Sequence, residues 1–173
     1  MKLLRGVLVF ALIAVAFWPE LARYRAERRV RAAADALRLL AAERASVANA
    51  YEAFGRVAEF ALSSAPGLPG DPRPFFLAGS AHLAAGDADR ALVLYGEALA
   101  RGERAETDLN LGRVSDLLAN PATAKAAYIR GGWVSPALLD SLPPETARSI
   151  RGAVMHLEAE LAAGRLAAPP PLP

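Results

Sequence analysis

The fold is decided by PRPFFLAGSAHLAAGDADRALVLYGEAL, residues 72–99, and AETDLNLGRVSDLLANPATAKAAY, residues 105–128. In the first segment Gly79 is followed by Ala91 at +12 and Tyr95 at +16. In the second, Gly112 is followed by Ala124 and Tyr128 at the same offsets, and the two glycines stand 33 residues apart. A small residue in one helix lets the next helix cross closely. The later alanine sits at the crossing, and the aromatic fills the gap one turn on. Gly86-Asp87 turns the first hairpin and Asn120-Pro121 the second. Self-similarity at such a period is the mark of stacked helical units.

Working outward, helical periodicity dominates and no stretch alternates with a period of two. Residues 20–45 read as a charged helix with Ala33, Leu37, Leu40 and Ala41 on one face. Val47, Ala50, Tyr51, Phe54, Val57, Ala58 and Ala61 form a second stripe, with the break between the two near Ser46. Pro and Gly stop any helix over 65–70, and Asp71-Pro72 reads as an N-cap followed by Pro at the first helical position. Ser135-Pro136 and Ser141 with Pro143-Pro144 are further helix starts. A last helix over about 144–163 carries Ile150, Val154, Leu157 and Leu161 at helical spacing, and Gly164 suits its stop. The tail from Ala168 to Pro173 is extended polyproline II.

The N-terminus is separate in character. Lys2 and Arg5 precede a charge-free run from Gly6 to Trp18. Three readings compete for it. A cleaved export signal fits the basic start, with Ala14-Val15-Ala16 as a small-residue cleavage site. A membrane anchor needs roughly 17–25 residues, and Leu3 to Leu21 reaches that length if Arg5 and Glu20 extend to the headgroups, with Trp18 at the interface. A buried core helix is the third, disfavoured because the run is apolar on every face. The anchor is the expectation carried forward. The positive-inside rule favours a cytoplasmic body, and the export-like start favours a periplasmic one. The expectation is a single-pass inner-membrane protein with a periplasmic body. The excess of Arg over Lys and the abundance of Ala fit a high-GC bacterium.

Composition narrows the function. The 173 residues hold 20 basic and 18 acidic side chains, a net charge of +2. Seven of the bases fall by residue 31, against Glu20 and Glu27, leaving 13 basic and 16 acidic residues beyond. The positive charge is a local collar, so nucleic acid is not the expected partner. Arg23, Arg25, Arg28, Arg29 and Arg31 abut the apolar run, and anionic lipid headgroups explain them more simply. Cysteine is absent, which excludes thiolate chemistry and disulfide scaffolds. His82 and His156 lie in separate units, and His82 reads as a packed core residue. Asp87 and Asp89 resemble a fragment of a calcium loop without its remaining ligands. There is no phosphate loop, nucleophile elbow or zinc motif. No catalytic set, cofactor, metal or small-molecule substrate is expected; an enzyme of unrecognised type is the least favoured alternative.

Residues 72–130 resemble the tetratricopeptide repeat. The first unit, 72–104, carries Phe75, Ala78-Gly79, the Gly86-Asp87 turn, Ala91, Tyr95, Ala98 and Leu99, with His82 where the family usually has Tyr. The second, 105–134, keeps Leu111-Gly112, Ala124 and Tyr128. It departs at Gly131-Gly132, where the helix is expected to end early and Trp133 to begin something irregular. The resemblance implies an all-α, short solenoid of antiparallel helical hairpins. An anchor or signal segment occupies 1–21, and a juxtamembrane helical segment, a possible degenerate repeat, 22–64. A loop follows over 65–71, two repeats over 72–134, capping helices over 135–164 and a Pro-rich tail over 165–173. It also implies a groove for a protein partner, lined by Arg73, Phe76, Ser80 and Leu83 of the first unit and by Leu109, Asn110, Arg113 and Asp116 of the second. Members that clamp a C-terminal carboxylate carry Lys and Asn where Phe76 and Ser80 stand here, so that mode is not expected. The implied role is a scaffold in an envelope complex for secretion, polysaccharide export or redox-enzyme assembly. The alternative is the same binding module released into the periplasm by signal cleavage.

Overall fold

In the computed structural model the described residues are 2–43 and 49–171, with side chains described from Phe17 onward. Every element among them is helical. They are α1 (Lys2–Ala42), α2 (Ala50–Leu62), α3 (Arg73–Ala85), α4 (Ala88–Leu99), α5 (Ala105–Leu117), α6 (Pro121–Val134) and α7 (Pro144–Ala162), with 3-10 turns at Ala65–Gly67 and Pro136–Ser141. The expected break near Ser46, the position of Val47 and the end of the tail at Leu172-Pro173 lie outside the described residues. Each helix packs against its chain neighbours, and α3 also touches α1 and α5, so these three lie side by side.

Local chemistry sets the boundaries. Asn49 caps α2 by accepting the Glu52 N–H at 3.3 Å. The Asp71 carboxylate accepts the Arg73 N–H at 2.8 Å, although α3 starts at Arg73 with Pro72, one residue later than expected, at its N-cap and Pro74 in its first turn. Gly86 takes φ +86°, the left-handed turn that ends α3 without Cβ strain. Asp87 and Asn120 then cap α4 and α6 by accepting the N–H of Arg90 and Thr123.

The core divides into three connected regions. Ala26, Val30 and Ala33 of α1 meet Phe54, Val57, Ala58 and Ala61 of α2 and Leu77, Ala78 and Ala81 of α3. Ala91 and Tyr95 of α4 meet Leu111, Val114 and Ala127. Leu109, Ala124 and Tyr128 meet Leu139, Leu142, Ala147, Ile150 and Val154, so α7 and the turn before it close the far end. Phe54 and Tyr95 are almost fully enclosed; burying one such side chain contributes roughly 1.5–3 kcal/mol. On α1 the inward face is Ala33, Leu37 and Leu40 as expected, extended back to Val30 and Ala26, whereas Ala41 is exposed.

One expectation is corrected. The second hairpin does not end at Gly131-Gly132: α6 runs through both to Val134. The glycines serve close packing. A Cβ on Gly131 would lie 3.1 Å from the Ala105 carbonyl oxygen and from Leu109 Cγ, and one on Gly132 2.9 Å from Leu139 Cδ2. The tail also returns to the body, where Arg130 Nη1 donates to the Pro170 carbonyl at 2.6 Å.

Candidate partner-binding site

The repeated glycines and tyrosines meet as their spacing requires. A Cβ on Gly79 would lie 3.0 Å from Tyr95 Cδ1, and one on Gly112 2.5 Å from Tyr128 Cδ1. Both hydroxyls are tied to the facing helix. Tyr95 donates to Ser80 Oγ at 3.1 Å and Tyr128 to Asp116 Oδ2 at 2.7 Å. Burial pushes the Tyr95 phenol up to about 12, partly offset by its Ser80 bond. Burial and the Asp116 carboxylate push Tyr128 up as well. Both remain neutral hydrogen-bonding wedges.

Of the eight expected groove residues, most are engaged within the body. Ser80 and Asp116 hold the tyrosines. Leu109 is 2% exposed and faces the core against α6 and α7, not a groove. Asn110 Oδ1 accepts from Arg113 Nη1 at 2.7 Å, and Arg113 Nη2 reaches Ser141 Oγ at 2.8 Å, tying α5 to the turn before α7. Leu83 packs beside the Tyr95 region. Phe76 is half-buried, its ring centroid 6.1 Å from that of Tyr95.

Arg73 is the centre of an ion-pair cluster. It meets Glu27 Oε1 at 2.7 Å and Asp71 Oδ2 at 2.6 Å, joining α1, the loop and α3. Hydrogen bonds to these carboxylates hold the guanidinium's pKa above its usual range. They draw both acids below theirs. Just beneath, Gly67 lies against α1, where a Cβ would stand 2.7 Å from Ala26 Cβ and 3.1 Å from the Ala22 carbonyl oxygen.

Arg73 and Phe76 open onto a cavity of about 460 Å³ between α1 and α3. Its apolar floor is Val30, Ala34, Phe76 and Leu77, and its rim is Arg31, Arg38 and Arg104 beside Arg73, with Asp35 as its acid. Sequence reasoning assigned the groove to α3 and α5 and missed α1. Arg31 and Arg38, seven apart on one helical face, were the available signal, but their meeting with Phe76 is a long-range contact. Of the five arginines assigned to lipid, all are exposed. Arg29 donates to the Ser63 carbonyl at 3.2 Å, and Arg31 lines the cavity.

Elsewhere, Asp108 is fully buried near Gly131, with neither oxygen hydrogen-bonded among the described residues. Burial pushes its carboxyl up to about 7, assisted by the charge of Glu103 and opposed by Arg130. Arg130 is paired with Glu103. His82 is partly buried, its Nδ1 3.5 Å from Asp87 Oδ2. No group of three or more metal-ligating side chains occurs among the described residues.

At the N-terminal end, Phe17, Trp18, Leu21 and Tyr24 are exposed on α1. Among the described residues no helix is long and apolar enough to cross a membrane. The side chains of the expected anchor before Phe17 lie outside them. No protein-family model, curated protein or solved structure matches this chain.

Proposed function

We propose that this chain is a membrane-tethered scaffold of tetratricopeptide-repeat type, whose short helical solenoid docks a protein partner within a bacterial envelope complex. The single observation carrying the reading is the duplicated wedge. Gly79 under Tyr95 and Gly112 under Tyr128 join successive helices at one spacing, an arrangement built for stacking units and presenting a surface. The α1 helix and α2 supply the preceding hairpin, and α7 caps the far end. The tether is read from the apolar run before Trp18, the exposed aromatics that follow it and the basic collar. The body is proposed to lie in the periplasm.

Photo-cross-linking in cells from positions 76 and 113 tests the reading. A specific protein adduct is expected from each position, the one from 113 reduced by Phe76→Ala and the one from 76 reduced by Arg113→Ala. Adducts that neither substitution affects would refute the face assigned to α3 and α5. A compartment-sensitive reporter fused after Pro173 reads the orientation, and activity only in the cytoplasm would reverse it. Intact mass separates the tethered form from a released module, which would lack the residues up to about Ala16.

A further inference from the structure

We infer that the cavity between α1 and α3 takes an acidic amphipathic segment of a protein partner, apolar side chains on its floor and carboxylates on its arginine rim. The inference rests on the scaffold reading and specifies the chemistry of what is docked.

The floor is apolar and includes Phe76. Its volume of about 460 Å³ admits anchoring side chains, not a whole helix. Four arginines line it beside one lining carboxylate, Asp35, with Glu27, Asp71 and Glu106 paired to them just outside the lining. Two are occupied: Arg73 by Glu27 and Asp71, and Arg38 by Asp35 at 3.1 Å. The other two are held less firmly. Arg31 makes no ion pair at contact distance among the described residues, though Glu27 one turn before it feels its charge, and Arg104 meets Glu106 at 3.6 Å and acts at longer range on Asp71. The Arg104 guanidinium lies 6.0 Å from the Phe76 ring centroid, so a carboxylate bound there sits directly beside an apolar anchor on Phe76.

Distance argues for a protein and against lipid headgroups. At 1.5 Å per residue, Arg31 lies about 20 Å and Arg38 about 30 Å along α1 from Trp18. Both separations exceed the screening length of about 8 Å at physiological salt. The arginines nearer Trp18 remain with the membrane; Arg31 belongs to the cavity.

The test uses the full chain in phosphatidylcholine nanodiscs. The probes are a fluorescent helical peptide of Leu and Glu in amphipathic register and its Leu and Lys counterpart. The Leu/Glu peptide is expected to bind, the Leu/Lys peptide not to. Arg31→Glu with Arg104→Glu should weaken binding by about tenfold or more, and Ala34→Trp, which fills the floor, should abolish it, with the helical circular dichroism of the charge variant unchanged at the assay temperature. Absent binding, equal binding of both peptides, or indifference to the charge reversals would overturn the inference. So would displacement of the peptide in phosphatidylglycerol nanodiscs, which would hand the rim to lipid. A partner captured from position 76 without Leu/Glu binding would leave the scaffold reading standing and remove this chemistry alone; no capture from either position would remove the scaffold reading itself.

Discussion

Gly112 lies so close beneath the Tyr128 ring that a Cβ there would stand 2.5 Å from Cδ1 and 2.9 Å from Cζ. The ring cannot slide away freely, because its hydroxyl is bound to Asp116 at 2.7 Å. Gly112→Ala should therefore destabilise the fold by about 2–3 kcal/mol. Gly79→Ala, facing the looser 3.0 Å approach to Tyr95, should cost about 1 kcal/mol. Thermal and urea melts of the two variants check the order. Equal costs would mean that the close approach is not what constrains these sites. Adding Tyr128→Leu to Gly112→Ala should recover part of the loss non-additively.

Asp108 makes stability depend on pH in the sense opposite to that of an ion-paired acid. Its carboxyl titrates near 7 when folded, raised by burial, and near its ordinary value when unfolded. Below about pH 4 it is protonated in both states and its titration leaves stability unchanged. Between about pH 4 and 7 the unfolded chain ionises first and stability falls; above 7 the loss is constant. Asp108→Asn should gain about 1–3 kcal/mol over the parent at pH 8, and the gain should vanish at pH 4. A difference that does not change with pH would show that Asp108 is ionised in the folded protein.

The Glu27–Arg73–Asp71 cluster fastens α1 to the loop and α3. Glu27→Gln and Arg73→Gln should show a coupling of about 1 kcal/mol in a double-mutant cycle at low salt, shrinking at high salt, since the groups are partly solvated. Arg73 holds Glu27 and Asp71 below their ordinary pKa. The contribution is thus complete above the ordinary carboxylate range and is lost as pH falls through the lowered values. Coupling that persists in acid would assign the effect to packing of the Arg73 stem.

Trp18 and Trp133 report different environments. Trp18 is 67% exposed on α1, whereas Trp133 packs against the α6–α7 core. If α1 enters a bilayer, brominated lipids should quench Trp18 strongly, and Trp18→Phe should remove most of that quenching. Quenching that survives the substitution would displace the proposed interface from Trp18.

The helical hairpins and their turns were legible from residue order because their causes are local. Gly86 needs a left-handed φ, Asp87 and Asn120 cap helices within three residues, and Pro144 starts α7. The wedges were legible too, since a 16-residue offset spans only one hairpin. Gly131-Gly132 misled because a glycine pair in isolation is a helix breaker. Within α6 the pair serves packing: Ala105, Leu109 and Leu139 come so close that little else fits. Leu109 misled for a similar reason, since only the arrival of α7 shows which face of α5 is inward.

By itself, the sequence determined an all-helical chain, the basic collar beside an apolar start, and two Gly–Tyr wedges at one spacing. Only the tertiary structure decided that α1 is a wall of the body, that Arg73 is bound to Glu27, and that Arg31, Arg38 and Arg104 gather around Phe76. The reason is separation along the chain. Glu27 and Arg73 are 46 residues apart, and Arg104 lies further still from α1. No periodicity links such positions; what joins them is the burial of α1's Ala26–Val30–Ala33 face against α2 and α3.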